Sequence, residues 1–118
     1  MEHRNIAVAR AAYAELLKQS LGLIVERLSA LPEVERISVF GSYARGRADL
    51  FTDLDILVVM NTEEAFLERL RRLYGLLAAP VDMDLLCYTP REFQDLKQTS
   101  LLKRILMEER VLYEKKRA

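Results

Sequence analysis

The acidic residues of this chain are unevenly placed. Asp53 and Asp55 stand two apart at the head of an apolar run, Asp53 to Met60, and Asp82 and Asp84 stand two apart in a second, Val81 to Tyr88. Side chains alternate along a strand, so each pair projects to one face. Two carboxylates ~4 Å apart repel by about 4 kcal/mol at an effective dielectric of ~20. A cation between them removes that penalty, and hard carboxylate oxygens suit Mg²⁺ or Mn²⁺. Taken alone, either pair has a plainer account as solvated acids at a strand end, with Arg45 or Arg47 as counter-charges to the first. Upstream, Gly41-Ser42 closes a third apolar run, Val34 to Phe40. A strand-to-helix junction offers free backbone N–H groups and the positive end of a helix dipole, which suit phosphate oxygens. Glycine permits close approach, and the Ser42 hydroxyl can donate one more bond. By itself the dipeptide marks a turn just as well.

Together the pieces say more than any one of them. Carboxylates on two strands of one small sheet, near a phosphate cradle, are the equipment of phosphoryl or nucleotidyl transfer with two metal ions. One ion would hold the triphosphate and the other would lower the pKa of an attacking hydroxyl. A third carboxylate would assist as ligand or base.

The elements that must position these residues follow from periodicity. Ile6, Ala9, Tyr13, Leu16, Leu17, Ile24 and Leu28 recur at helical spacing, which predicts a long amphipathic helix from about Arg4 to Ala30, ended by Pro32. Val34–Phe40 is a short strand, and Ser42–Leu50 a turn leading into a short helix. Asp53–Met60 is a strand. A helix over roughly Glu63–Ala79 is expected next, capped by Asn61 or Thr62, with Phe66, Leu67, Leu70, Leu73 and Leu77 inward. Val81–Tyr88 is a third strand. Thr89-Pro90-Arg91-Glu92 spells a capping box with proline at the first helical position. Ser100 restarts a helix to about Glu109, and Val111–Tyr113 can add a short fourth strand. The order predicts an α/β or α+β domain with a small sheet covered by helices; sheet direction does not follow from it.

Bulk properties set the class. A chain of 118 residues fits a single domain over its whole length, with 51% hydrophobic and 31% charged residues. Eighteen Lys and Arg balance eighteen Asp and Glu, so the net charge gives no indication of direct nucleic-acid binding. The only cysteine, Cys87, cannot form an internal disulfide, and it alternates away from Asp84, which suits a small packing group. No apolar run approaches the ~20 residues of a membrane span. The N-terminus lacks signal-peptide order. A cytoplasmic setting is expected. His3 is a poor candidate for catalysis, and Glu114 to Arg117 reads as a solvated tail.

The spacing itself carries a resemblance. Gly41-Ser42-Tyr43-Ala44-Arg45-Gly46, followed by Asp53-Leu54-Asp55, gives Gly-Ser, ten intervening residues, then Asp-x-Asp. This resembles the signature of the DNA polymerase β-like nucleotidyltransferase superfamily, in particular its minimal nucleotidyltransferases, and the Val81–Tyr88 strand with its Tyr88-Thr89-Pro90 exit is similar as well. The resemblance implies the polymerase β-like fold, a small mixed sheet flanked by helices. It implies that Gly41 and Ser42 bind the β- and γ-phosphates and that Asp53 and Asp55 hold the metals. It implies a third acid on the next strand, Asp84 ahead of Asp82, because Asp84 directly precedes Leu85-Leu86-Cys87-Tyr88. Arg45 is a phosphate contact or a brace of the loop. Thr52 replaces the serine often found before Asp-x-Asp and keeps a hydroxyl. Nothing after Tyr113 could form the acceptor-recognition domain of larger relatives.

The implied activity is transfer of a nucleoside monophosphate from ATP or another NTP to a hydroxyl, with Mg²⁺ or Mn²⁺. The resemblance also implies a partner, a small helical HEPN-type protein, with this chain as the antitoxin that nucleotidylates it. The competing class is a nucleotide-binding module that masks a partner without turnover, through apolar positions on the first helix and Leu101-Leu102…Ile105-Leu106. Antibiotic modification is the weakest of the three, for want of an acceptor domain. The sequence leaves a homo- or hetero-oligomer open.

Overall fold

A computed structural model describes residues 2–116, with side chains over 5–116. The elements run α1 (Glu2–Ser29), β1 (Val34–Phe40), α2 (Gly41–Ala44), β2 (Leu54–Met60), α3 (Phe66–Leu77), β3 (Met83–Tyr88), α4 (Pro90–Leu96), α5 (Ser100–Glu108) and β4 (Arg110–Glu114). The strands form one sheet in the order β3-β2-β1-β4. β1 pairs antiparallel with both β2 and β4, and β2 pairs parallel with β3. The sheet is therefore mixed, as the resemblance implied. The parallel pair is joined by α3, the crossover that parallel strands require.

Helices cover both faces. Leu54, Ile56, Val58 and Met60 of β2 join Leu85 and Cys87 of β3 in a core against Leu17, Ile24 and Leu28 of α1 and Leu73 and Leu77 of α3. On the other face Leu57 and Val59 pack with Leu86, Tyr88, Phe93 of α4 and Leu102 and Ile105 of α5. β2 is thus buried on both sides, which is why its sequence is a nearly unbroken apolar run. Asp55 is the one residue of that strand outside the buried class.

β1 and the capping box are as the sequence predicts, whereas β2 starts at Leu54 and not Asp53, β3 at Met83 and not Val81, and β4 runs one residue further at each end than Val111–Tyr113. The Thr89 side chain accepts from the Glu92 N–H at 3.2 Å, and the Glu92 carboxylate accepts from the Thr89 N–H at 2.9 Å. Other expectations need correction. Over Ser42–Leu50 the short helix comes first, as α2 (Gly41–Ala44), and the turn follows it. α3 begins at Phe66, with Ala65 at its N-cap and no side-chain cap; Thr62 instead accepts from the Glu64 N–H at 3.1 Å in the turn before it. Its inner face carries Arg69, Leu73 and Leu77, while Phe66 and Leu67 are exposed. The buried guanidinium is satisfied by the Glu64 carbonyl at 2.8 Å, the Cys87 carbonyl at 3.2 Å and Glu92 at 2.6 Å. Ile6 and Ala9, expected on the inner stripe of α1, are exposed; the buried stripe of that helix includes Leu17, Ile24 and Leu28. The expected tail is partly tied down: the Lys115 ammonium donates to the Pro32 carbonyl at 2.6 Å. The His3 side chain and Arg117 lie outside the described residues.

Candidate active site

The sheet register decides which acids meet. Asp55 of β2 stands directly opposite Asp84 of β3 on one side and opposite Phe40, the last residue of β1, on the other. Cross-strand partners share a face, so both carboxylates project together on the α4–α5 side of the sheet. Asp53 lies just outside β2 and is half-buried. The electrostatics record this crowding. The Asp55 carboxyl is pushed up from 3.8 to about 6, first by burial, then by the charges of Asp84 and Asp53 and a hydrogen bond with Asp84, with Arg45 opposing. Three acids are therefore felt at one point.

Asp82 is placed differently. It is exposed, its carbonyl accepts from the Leu54 N–H at 3.0 Å, and its charge acts on the Tyr13 hydroxyl of α1, whose pKa is raised by burial, Asp53 and Asp82. The acids that act most on Asp55 are Asp84 and Asp53. Among the described residues no three acidic, histidine or cysteine side chains form a ready-made metal cage. The donor set nevertheless fits a hard divalent ion. Asp55 and Asp84 are all-oxygen ligands whose mutual repulsion a cation would relieve, and Asp53 adds a third carboxylate within electrostatic reach.

Gly41 begins α2 with φ +74°, a conformation glycine adopts without penalty. A Cβ at this position would overlap Oδ2 of Asp55 and stand 3.0 Å from its Cγ. The glycine is thus required twice, by the backbone and by the acid packed against it. Its N–H donates to Oε1 of Glu108 at 3.1 Å, and Arg45 Nη1 donates to the other oxygen of the same carboxylate at 2.7 Å. The Ser42 hydroxyl has no hydrogen-bond partner among the described residues. Of the three groups the sequence offers to phosphate, Ser42 is therefore open, while Gly41 and Arg45 already hold a carboxylate.

The loop from α2 to β2 is braced by Asp49. Its carboxylate accepts from Arg47 Nε at 2.6 Å, the Phe51 N–H at 2.9 Å and the Thr52 hydroxyl at 3.2 Å. The Arg47 bond, then the Phe51 N–H, hold its pKa down at about 2. Arg47 is thereby hydrogen-bonded to Asp49, and the charge of Asp53 acts on it as well. Thr52 is buried, and its carbonyl accepts from the Tyr13 hydroxyl at 3.1 Å. These contacts hold the chain at the residue before Asp53. Here the hydroxyl at position 52 has a structural task, tying the loop to Asp49.

Sequence reasoning missed Glu108, Asp49, Tyr13 and Arg110. Arg110 donates to the Ala44 carbonyl at 3.1 Å and the Tyr43 carbonyl at 3.0 Å. Each of the long-range partners comes from an element far away in sequence, where no local pattern announces it. A concavity of about 490 Å³ lies elsewhere, lined by Arg36, Phe93, Lys97 and Leu106 among others, and includes none of these acids.

With the site laid out, comparison with known proteins decides the family. Residues 21–113 match the model of the nucleotidyltransferase domain. The chain belongs to that family. No curated protein matches it in sequence. Among solved structures it is similar to a protein from Sulfolobus solfataricus assigned as a nucleotidyltransferase, with a TM-score of 0.56 and 19% identity over 93% of this chain and 87% of that one. It is similar also to a chain in the complex of tri-AMPylated Shewanella oneidensis HEPN toxin with MNT antitoxin, with a TM-score of 0.52 and 21% identity over 84% of this chain and 73% of that one. A toxin–antitoxin structure with AMP-PNP gives a TM-score of 0.50 and 21% identity over 83% and 73%. At these identities the structures establish the shared nucleotidyltransferase fold. Among the described residues no helix is long and apolar enough to cross a membrane.

Proposed function

We propose that this nucleotidyltransferase domain moves a nucleoside monophosphate from ATP or another NTP to a hydroxyl, on a small helical HEPN-type partner that it thereby restrains as an antitoxin. The observation that carries the reading is the register that sets Asp55 beside Asp84, with Asp53 alongside and the Ser42 turn at the end of the adjoining strand. The nature of the acceptor rests on the similarity to the toxin–antitoxin complexes alone.

In this reading Asp53, Asp55 and Asp84 hold Mg²⁺ or Mn²⁺. When bound, the metal supplies charge neutralisation at the triphosphate and a lowered pKa for the acceptor hydroxyl. Ser42, through its hydroxyl and the start of α2, and Arg45 receive the β- and γ-phosphates. Gly41 lets Asp55 lie against the turn, so that phosphates and carboxylates share one site. The acceptor oxygen forms a bond to the α-phosphorus, the bond from that phosphorus to the bridging oxygen breaks, and pyrophosphate leaves with the electron pair. The hydroxyl proton passes to a carboxylate, which in this reading is Asp84, an exposed side chain.

The test is transfer from labelled ATP, with Mg²⁺, to a co-expressed or co-purified HEPN-type protein. Asp53→Ala, Asp55→Ala and Asp84→Ala should each lower transfer by at least about 100-fold, in the range for loss of a group acting on transition-state charge. Asp82→Ala should stay within a fewfold of wild type. Undiminished transfer by either the Asp53 or the Asp55 variant would sink the metal assignment. Loss with Asp82→Ala and not with Asp84→Ala would move the third carboxylate to position 82.

A further inference from the structure

The corner between α5 and β4 places three consecutive side chains around the Ser42 turn and its strand. Glu108 accepts from the Gly41 N–H and from Arg45, Glu109 accepts from Arg36 Nη1 of β1 at 3.0 Å, and Arg110 donates to the carbonyls of Tyr43 and Ala44. α2 is one turn long: the Gly41, Ser42 and Tyr43 carbonyls accept from the N–H groups of Arg45, Arg47 and Gly46 just beyond it, while the N–H groups at its start have no partner within the helix. Phe40, at its N-cap, has no side chain able to supply one. The corner supplies both ends instead, an anion at the positive N-terminus and a cation at the negative C-terminus. Glu108 does a second thing. It engages only Nη1 of Arg45, and among the described residues the other nitrogens of that guanidinium have no acceptor. Its carboxylate is kept ionised, its pKa lowered first by the Arg45 bond and assisted by the Gly41 N–H.

We propose that Glu108 is a positioning residue for the triphosphate: it fixes the N-terminal end of the Ser42 turn through Gly41 and aims Arg45 at the phosphates. This rests on the nucleotidyltransferase reading above. Without Glu108, Arg45 is a half-exposed side chain with many rotamers, and ordering it falls on the binding of the nucleotide itself.

Binding is the discriminating measurement, since it needs no turnover. In calorimetry with Mg²⁺ and a non-hydrolysable ATP analogue, Glu108→Ala should weaken binding about tenfold, the scale of one charge-assisted contact. KM for nucleotide should rise in step, with KM for the acceptor unchanged. Glu108→Gln keeps an oxygen for the Gly41 N–H and should recover part of the loss. Equal affinity in wild type and Glu108→Ala overturns the proposal while leaving the transfer reading intact. Tighter binding also overturns it, because Glu108 would then be a competitor for the phosphate groups. If Glu108→Ala does not fold, the isosteric Gln variant decides: weaker binding at an unchanged melting temperature supports positioning, and unchanged binding refutes it. A wild-type protein that binds no nucleotide overturns this proposal and the nucleotide reading together.

Discussion

Replacing Asp55 by asparagine should abolish the activity proposed here and make the protein more stable at neutral pH. The carboxyl is displaced from 3.8 to about 6, first by burial and then by Asp84 and Asp53. A group whose folded pKa is raised binds its proton more tightly in the fold. Its favourable contribution is complete below about pH 4 and is lost as pH rises through 6. Above that, the folded protein carries a charge it resists. At about 1.36 kcal/mol per pH unit the displacement corresponds to at most roughly 3 kcal/mol. The carboxyl is partly open to solvent, which screens it, so roughly 1–2 kcal/mol is the reasonable expectation. Asparagine keeps the shape and removes the charge.

In thermal denaturation at pH 8 with a chelator present, Asp55→Asn should unfold roughly 3–8 °C above wild type. At pH 4 the two should coincide, because the wild-type carboxyl is then protonated as well. Adding Mg²⁺ at pH 8 should raise the wild-type midpoint, since a ligand of the folded state stabilises it, and should leave the variant almost unmoved. An Asn variant that melts at or below wild type at pH 8 would refute the electrostatic reasoning, whatever its activity.

Gly41→Ala must take a positive φ and push against Asp55, so it should cost roughly 2–4 kcal/mol in urea denaturation. In an Asp55→Ala background the overlap is gone and the cost should fall by at least ~1 kcal/mol; strict additivity would show that the two residues do not press on one another. Arg69→Ala strips bonds from the Glu64 and Cys87 carbonyls and from Glu92, and should destabilise by roughly 2–3 kcal/mol at pH 7. Because Arg69 holds the Glu92 pKa below the ordinary range, its contribution should persist above pH 4.5 and fade as pH drops further, which a denaturation series from pH 7 to 3 would reveal; a flat difference would contradict it. Cys87 is fully buried and its thiol is pushed up to about 12, chiefly by burial, so the native protein should be silent to a thiol reagent at pH 8 and react only when unfolded. Rapid labelling without denaturant would show that β3 opens locally.

What was legible in the sequence was whatever local physics determines. Val34–Phe40 matched residue for residue because alternation and a Gly-Ser stop are local signals, and the Thr89–Glu92 box is local by construction. The family showed through the Gly-Ser and Asp-x-Asp spacing, since the two motifs stand at the adjoining ends of neighbouring antiparallel strands. Asp82 and Asp84 could not be told apart by alternation, as both obey it. Only the register of β3 against β2, one pairing among several, sets Asp84 opposite Asp55. Arg69 was hidden for a different reason. Periodicity assigns an arginine to the water side, and here three acceptors from outside the helix override it. Glu108 and Arg110 were invisible because their partners lie between 63 and 67 residues away.

These facts bear on how so small a domain keeps an acidic site in place. Asp55 costs stability, and it stands in the strand best able to bear that cost. β2 is paired on both edges and covered on both faces, so the hydrophobic burial of Leu54 and Ile56 through Met60 anchors a residue that would otherwise move away from Asp84. The turn opposite has less support of this kind, with Tyr43 and Ala44 only partly buried against the core. α2 is one helical turn with no buried residue of its own, and it is held at its ends by side chains from the last helix and strand. Asp55 is held by a strand sunk in the core, and the Ser42 turn is tied mainly by polar contacts near the surface. Polar contacts of this kind can be remade when a nucleotide arrives, whereas the packing beneath Asp55 cannot. The site thus combines a rigid acidic wall with a turn whose polar ties can rearrange, and the sequence distance between β1 and β4 is spanned to build it.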